Sequence, residues 1–256
     1  MPFKKNYKRK PAYKKRVPYK KKTGSKALVQ TIQKVLNKNE ETKYVTYYAQ
    51  NNSIIYYSGS TYNVSNFQLV PAIYQGTTSG NRVGNQIQVT SHIVKYRLFV
   101  PTGTTATEPV YCRVMVGHIR SKPADSPATY GFSDFFRGGS GGTIAPQATD
   151  LDLMLKPNTF NWVIVYDKIH KIGQSGTNVS NPQCANNDFI VSTMGRINLT
   201  KHMGKLQYND TSPNYPTNKN WYMFVLPVRV GGLSGTAGGT APVNITYNSE
   251  VCFKDA

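Results

Sequence analysis

The sequence predicts an all-β protein, a single eight-stranded antiparallel jelly-roll sandwich that follows a disordered basic N-terminal arm. Segments rich in Val, Ile, Tyr and Phe alternate apolar and polar residues along most of the chain, which is typical of strands with one buried face. No helical pattern lies between them, so crossover helices are lacking and the sheets should be antiparallel. About eight such strands with long Gly- and Pro-rich connections favour a two-sheet jelly roll.

The basic residues are concentrated at the N-terminus of the chain. Twelve of its 31 basic residues lie in the first 26 positions, and no acid precedes Glu40. The remaining 230 residues carry 19 basic and 12 acidic side chains, a net charge of +7. Because like charges at this density repel one another and cannot be buried, we expect the arm to be disordered when it is alone. The predicted organisation is a basic arm over residues 1–26, a short helix or linker over 27–41 and a β-sandwich domain over 42–256.

The arm has a six-residue near-repeat of one tyrosine, a basic triplet and a spacer. Pro11 and Pro18 remove backbone donors and hold the chain extended. An extended strand of this kind can neutralise phosphates while its tyrosines stack on unpaired bases, at roughly 1–3 kcal/mol per base. The predicted nucleic-acid-binding residues are Lys4, Lys5, Lys8, Arg9, Lys10, Lys14, Lys15, Arg16, Lys20, Lys21 and Lys22, with Tyr7, Tyr13 and Tyr19.

Two other roles for the arm stay open. A purely solubilising tail would need no interleaved aromatic residues, so nucleic-acid binding is favoured. A nuclear localisation signal does not compete with nucleic-acid binding, because the triplets Lys14–Arg16 and Lys20–Lys22 would serve both purposes. After the arm, Leu28, Ile32, Val35 and Leu36 share one face of a predicted helix over residues 25–38, and a frayed linker is the alternative.

The predicted strands have individual signatures. The alternation of Gln86–Val100 changes phase at Val94, which predicts a β-bulge or bend. Trp162–Ile169 is nearly all apolar, as in a strand covered on both faces. The loops over residues 122–150 and 231–241 are long and are expected to contact other molecules. The other predicted strands are Lys43–Gln50, Ile54–Tyr57, Val110–Val116, Phe189–Val191, Ile197–Leu199, Trp221–Val230 and Val243–Phe253.

The sequence holds no recognisable active site, so we predict no enzyme, no cofactor and no metal. The four histidines stand far apart, and no nucleophile or zinc-protease motif occurs. Asp150 and Asp152 form a pair that could bind a cation between subunits, although a solvated turn is favoured. Arg137–Gly142 lacks the ending of a phosphate-binding loop and is interpreted as a flexible loop, with an RNA-binding role as the alternative.

Three cysteines at wide spacing predict neither a disulfide framework nor a zinc site, and they favour a reducing compartment. Cys112 and Cys252 fall within apolar alternation and are expected to be small core residues. No apolar stretch approaches the length of a membrane span, and the basic N-terminus has no apolar segment after it, so we predict neither membrane insertion nor a secretory signal.

An ordered set of short motifs carries a resemblance to a known family. Leu69–Gly76 followed by Arg82–Ile87, leading into a long strand, resembles the start of the capsid domains of circular, Rep-encoding single-stranded DNA viruses (CRESS-DNA, circovirus-like). The related coat proteins of small satellite viruses are similar. The further matching segments are Val165–Lys168, Ile197–Leu199 with Lys201 and Lys205, Gln207–Asn209 and Asn220–Phe224.

The resemblance implies a capsid protein that forms a T=1 icosahedral shell of about sixty copies. It implies partners of three kinds: other copies of the chain, single-stranded DNA packaged by the arm, and host import receptors. It also implies location in the virion and, during assembly, in the host nucleus. Gly76 and Gly84 are expected to make turns, and Arg82 is expected to fix the turn through a carbonyl or a carboxylate. Arms in the circovirus branch are Arg-rich, whereas this arm is mainly Lys, which favours binding without base specificity.

Three alternatives stay open at this point. The chain could be the coat protein of a small RNA satellite virus, or a cellular basic nucleic-acid-binding protein. Cellular proteins of that class often spread basic residues over the whole body, whereas this body carries only +7. A carbohydrate-binding jelly roll with an import tail would need an exposed aromatic platform with adjacent polar groups.

Overall fold

A computed structural model describes residues 28–32, 41–55, 65–100, 110–120, 132–147, 149–172, 192–209, 214–229 and 240–255. The chain divides into two compact units, residues 1–40 and 41–256. In the first unit residues 28–32 are helical, and Leu28, Val29 and Ile32 are exposed. These five residues lie within the predicted helix over 25–38, and the rest of that segment lies outside the described residues.

The second unit is built from antiparallel strands, which confirms the predicted all-β class. Apart from a 3₁₀ turn at Gly139–Gly141, its described helices are single turns, α1 (Leu151–Met154) and α2 (Thr200–Met203). The strands are β1 (Lys43–Ile55), β2 (Ser65–Gln68), β3 (Gln86–Phe99), β4 (Val110–Ile119), β5 (Phe136–Arg137), β6 (Thr143–Ile144), β7 (Trp162–Ile172), β8 (Ser192–Asn198), β9 (Lys205–Gln207), β10 (Tyr222–Arg229) and β11 (Thr240–Asp255). The predicted strand Phe189–Val191 lies outside the described residues.

Two sheets form the body. One has the strand order β1-β11-β3-β8, with the short β9 also paired to β3, and the other has the order β2-β10-β4-β7. Strands β5 and β6 form a separate hairpin. The main core contains side chains from both large sheets, among them Val94 and Leu98 of β3, Ile245 of β11, Val114 of β4 and Val225 of β10. The two sheets therefore bury their apolar faces in a common core.

Strand β11 follows its predicted alternation throughout. Val243, Ile245, Tyr247, Ser249, Val251 and Phe253 are all buried. Strand β3 contains the predicted bulge, but at a different place. Ser91 pairs with Cys252 and Val89 with Phe253, so Thr90 is the extra residue. The phase shift therefore lies before His92 rather than at Val94, and Ile93 lies on the outer face although it is apolar.

Strand β1 is one strand where the sequence predicts two. Ala49 pairs with Tyr247 and Asn52 with Ile245, so one extra residue is inserted between them. Asn51 accommodates the bulge with a φ of 51°, in the left-handed region that asparagine tolerates better than most residues. The predicted break at Asn51-Asn52 is thus a bulge, because the strand resumes pairing with β11 after it.

A second core cluster covers the outer face of the four-stranded sheet. Phe132, Phe135 and Phe136 pack there against Trp162 and Phe224. The Phe132 ring stacks on Trp162 with centroids 5.4 Å apart and planes 12° apart. The part of the predicted contact loop that holds these three phenylalanines therefore packs onto its own domain.

The prediction for Trp162–Ile169 is half right. Trp162 is buried beneath this aromatic cluster, but Asp167, Lys168 and Ile169 are exposed, Ile169 by 44 %. The aromatic segment covers only the start of β7, which is why the second half of the strand reaches solvent. The four-stranded sheet is therefore covered on both faces over much of its area.

Candidate nucleic-acid interface

The fourteen residues that the sequence predicts to bind nucleic acid all lie outside the described residues. They are Lys4, Lys5, Tyr7, Lys8, Arg9, Lys10, Tyr13, Lys14, Lys15, Arg16, Tyr19, Lys20, Lys21 and Lys22. Their role in binding stays a prediction. The described body offers its own candidate residues.

The histidines of the body serve packing and hydrogen bonding. His92 is fully buried, and its Nε2 lies 2.9 Å from Ser249 Oγ. His170 Nε2 lies 2.7 Å from the Tyr96 hydroxyl, and the His118 ring sits edge-on to Trp221 with centroids 4.6 Å apart. Burial lowers the pKa of His92 to about 4, and desolvation lowers the pKa of the other three below the ordinary histidine value. All four are therefore held in the neutral form at neutral pH.

The predicted cation pair has a structural role. Asp152 is fully buried, and its two carboxylate oxygens accept a hydrogen bond from the backbone N–H of Gln147 at 3.1 and 2.9 Å. The favoured interpretation, a solvated turn, is therefore wrong for Asp152. Across the described segments, no cluster of three or more His, Cys, Asp or Glu side chains is arranged to hold a metal ion.

The thiols differ in exposure. Cys112 is a buried core residue, as predicted, and burial raises its pKa to about 12, so it is held as an unreactive thiol. Cys252 is only half-buried. The prediction that both are core residues is thus right for the first and wrong for the second.

Arg82 fixes its turn as predicted. Its buried guanidinium donates to the carbonyl of Gly84 and, at 3.1 Å, to Asn85 Oδ1. It also lies over the Tyr208 ring, 4.4 Å from the centroid. Gly76 lies in the same turn, where its N–H donates to the Arg82 carbonyl at 3.0 Å. The Arg82 side chain therefore has a structural role in this turn.

Exposed cations gather on the outer face of the five-stranded sheet. The pairing register aligns Tyr48, Asn248, Lys95 and Arg196 in one row across β1, β11, β3 and β8, and it aligns Thr246, Arg97 and Met194 in the next row. Lys95, Arg97 and Arg196 are all exposed, as are Tyr48 (56 %) and Met194 (71 %). We call these five residues the basic face.

A shallow groove of about 440 Å³ runs between the two rows. Its walls are the side chains of the basic face, and its floor includes Tyr96, Gly195 and Tyr247. Gly195 pairs with Tyr96, and a Cβ at Gly195 would overlap the Tyr96 ring beneath it. The absence of a side chain therefore lets the tyrosine pack against the backbone of β8.

The basic face is electrostatically unbalanced. Lys95 stands directly opposite Arg196 on the neighbouring strand, a position where like charges destabilise a sheet. The two ion pairs among the described residues, Lys43–Asp255 and Arg113–Asp167, include none of its cations. Glu250 is the one acid among the described outward residues of β1, β11, β3 and β8. The face is thus poised to attract an anion.

Sequence reasoning missed this face although part of its signal was visible. Lys95 and Arg97 occupy alternate positions on the longest predicted strand, which puts them on one face. Arg196 lies about a hundred residues away, and only the strand pairing brings it beside Lys95. The cluster could not be found without the sheet order.

Comparison with known protein families and with curated proteins finds no match for this chain.

Within the described segments, every helix is too short or too polar to span a bilayer.

Proposed function

We propose that this chain is a viral capsid protein with a single jelly-roll body. Its copies would assemble into a small icosahedral T=1 shell and package a single-stranded DNA genome through the basic arm, which would also act as a nuclear localisation signal. The observation that carries the proposal is the strand order of the two sheets. The distribution of charge along the chain, which suits a polyanionic cargo, supports it further.

The strand order supports a jelly roll. When the short strands β5, β6 and β9 are set aside, eight remain, four in each sheet. The first strand pairs with the last, β1 with β11, and the second with the one before the last, β2 with β10. Chains that fold in this way place two Greek keys in one sandwich, the architecture found in many viral capsid domains.

The charge of the arm supports the proposal that the cargo is a nucleic acid. About sixty arms at +12 each would supply roughly 700 positive charges, a large part of what a genome on the order of a thousand or two nucleotides requires. Lysine meets phosphate as a point charge without the fork of arginine, so a Lys-rich arm suits binding that ignores base sequence. A body of only +7 leaves most of the chain's charge in the arm.

Exposed apolar side chains support self-association. Met154 of α1 is 76 % exposed, and Phe160, in the turn that follows, is 82 % exposed. Leu151 of the same helix is also exposed. These three apolar side chains are close in sequence, and they are our candidates for a surface that a neighbouring subunit would cover.

Imaging of the purified chain tests the proposal. Negative-stain electron microscopy, with absorbance at 260 and 280 nm on the same fraction, should show uniform small spheres with excess absorbance at 260 nm. DNase should digest the extracted contents; digestion by RNase alone would favour an RNA satellite coat protein instead. Monomers that bind oligonucleotides but never close into particles would contradict a capsid and favour a cellular binding protein.

Deletion of residues 1–26 tests the arm separately. We expect the shortened chain to lose most of its affinity for single-stranded DNA and most of the salt dependence of that affinity. An unchanged affinity would refute the role of the arm.

A further inference from the structure

We propose that the basic face is a second binding site for single-stranded nucleic acid, in which Lys95, Arg97 and Arg196 hold phosphates and Tyr48 stacks on a base. This inference rests on the proposed function and deepens it, because it places cargo contacts on the folded body as well as on the arm. It also names side chains whose geometry is known.

The cations of the basic face repel one another. A cross-strand pair of like charges destabilises a sheet relative to a neutral pair. Lys95 and Arg196 form such a pair, and Arg97 lies two residues further along the same strand. These like charges weaken the sheet, and no described acid forms an ion pair with any of the three cations. An external anion that binds to the basic face explains this arrangement.

The geometry of the basic face limits which anion it can bind. The occupant must carry several negative charges in a row, because the cations span two adjacent strands. It must also match the exposed Tyr48 ring, which lies on the row of Lys95 and Arg196. Single-stranded nucleic acid meets both needs, since its phosphates are regularly spaced and its unpaired bases stack on aromatic rings. The arm of another copy is excluded as the occupant, because its charge of +12 is of the same sign.

The two sheets differ in access. On the four-stranded sheet, the cluster of Phe132, Phe135 and Phe136 covers part of the outer face. The five-stranded sheet exposes its outer face and the groove of about 440 Å³. An open sheet face with basic and aromatic side chains is a form that single-strand-binding modules use.

The salt dependence of binding tests the phosphate contacts in the full-length chain. The probe is a fluorescent thymidine oligonucleotide, and the variant is the triple substitution Lys95→Gln, Arg97→Gln, Arg196→Gln. Loss of three phosphate contacts should make the slope of log affinity against log salt less negative by about 2, which corresponds to an affinity loss on the order of a hundredfold at 0.1 M salt. The matched control removes three exposed cations near the other sheet: Arg120→Gln, Lys168→Gln, Lys171→Gln. Equal slopes for the two triple variants would overturn the inference.

A charge reversal separates binding from folding. Lys95→Glu places opposite charges across β3 and β8, so its melting temperature should equal or exceed that of the unchanged chain. Its affinity for the oligonucleotide should nevertheless fall at least tenfold. A melting temperature that falls together with the affinity would assign the charges a structural role and overturn the inference.

Ultraviolet crosslinking locates the contact. A crosslinked tryptic peptide should contain Tyr48, and Tyr48→Leu should remove that crosslink while crosslinks to residues 1–26 persist. Crosslinks confined to residues 1–26 would overturn the second site and leave the proposed function intact. A full-length chain that binds no nucleic acid would contradict both. Polyglutamate that displaces the oligonucleotide from Tyr48 equally well, charge for charge, would identify an acidic peptide as the occupant instead.

Discussion

At the residue scale, Gly195 and Tyr96 form the tightest packing at the floor of the groove. The Tyr96 hydroxyl lies 2.8 Å from the Tyr166 hydroxyl and 2.7 Å from His170 Nε2, so the ring is held from its far end. The hydroxyl end of the ring lies where a Cβ of residue 195 would stand. A side chain at this position therefore forces the ring away from two hydrogen-bond partners.

Gly195→Ala should destabilise the domain by about 2 kcal/mol, because overpacking and displaced hydrogen bonds add. Urea unfolding followed by tryptophan fluorescence measures the change. Gly139→Ala is the matched control, since a Cβ there meets nothing within 4 Å. If the two variants unfold at the same urea concentration, the packing of Tyr96 against Gly195 is not a determinant of stability.

His92 makes the fold sensitive to acid. Ser249 Oγ donates its single proton to the Leu69 carbonyl at 2.5 Å, so it accepts from His92 Nε2. Charging this ring in the core is unfavourable, and its pKa falls from 6.5 to about 4. The unfolded chain therefore binds the extra proton first, and stability falls as the pH drops from 6.5 towards 4.

The expected loss from His92 across that window is about 3 kcal/mol. His92→Gln keeps a donor near the Nε2 position and cannot titrate, so its stability should vary less with pH than that of the unchanged chain. Free energies of unfolding from urea titrations at several pH values give the difference. His202→Gln, at a half-buried histidine, serves as the control. A His92→Gln profile parallel to that of the unchanged chain would refute this assignment.

At the element scale, Arg113 ties the segment that contains α1 to the four-stranded sheet. Its Nε and Nη2 donate to both carboxylate oxygens of Asp167 at 2.8 and 2.6 Å. Its Nη1 donates to the carbonyls of Asp152 and Leu155 at 2.5 and 2.7 Å. One buried guanidinium thus joins β4, β7 and both ends of the helical turn.

Arg113→Met should cost about 2 kcal/mol or more, because buried carbonyls and Asp167 lose their donor. The loss should concentrate in the segment around α1. Hydrogen exchange read by mass spectrometry should show faster exchange at residues 149–155 than in the unchanged chain, with β11 unaffected at short times. Arg113→Lys should not restore protection, since an ammonium cannot reproduce the planar fork. Uniform exchange changes across both sheets would contradict the local role.

Elements whose pattern depends on one face alone were predictable, and elements that depend on distant partners were not. The alternation of β11 is complete because its inner face meets one continuous core. The bulge of β3 was predicted but misplaced, because the apolar Ile93 on the outer face hides the phase change. The aromatic run Phe132, Phe135 and Phe136 was assigned to a loop, since nothing local shows that it covers the outer face of the other sheet.

The same limit applies to the candidate site. The arm is visible in sequence because its charge is contiguous, whereas the basic face is assembled by pairing β3 with β8. The turn-fixing role of Arg82 came from the resemblance, and its partners in the structure, Gly84 and Asn85, are neighbours in the chain. Contacts between residues a few positions apart can be predicted from the sequence. Contacts that depend on the order of strands in a sheet can be identified only once the fold is known.

At the scale of the whole molecule, the two sheets are used differently. The four-stranded sheet carries an aromatic layer on its outer face, and Leu151, Met154 and Phe160 of α1 and the following turn are exposed. The five-stranded sheet presents cations. In the proposed shell, a subunit would need an apolar surface for its neighbours and a basic surface for its cargo, and these two regions are the candidates for them.

The apolar surface leads to a test of assembly. Phe160→Glu combined with Met154→Glu places charge where neighbours would bury apolar groups, so particle formation should be lost while the domain stays folded. Both side chains are exposed, so the melting temperature should change by no more than a few degrees. The conservative pair Phe160→Tyr and Met154→Leu keeps the apolar surface and should still assemble.

Light scattering and electron microscopy distinguish the two variants. Particles from the charged variant in normal yield would exclude this surface as a subunit contact, whereas loss of particles from both variants would show that its shape matters more than its polarity. Affinity for single-stranded DNA should be unchanged in both, because Met154 and Phe160 lie on neither the arm nor the basic face. Assembly and cargo binding are therefore expected to separate into different parts of one chain.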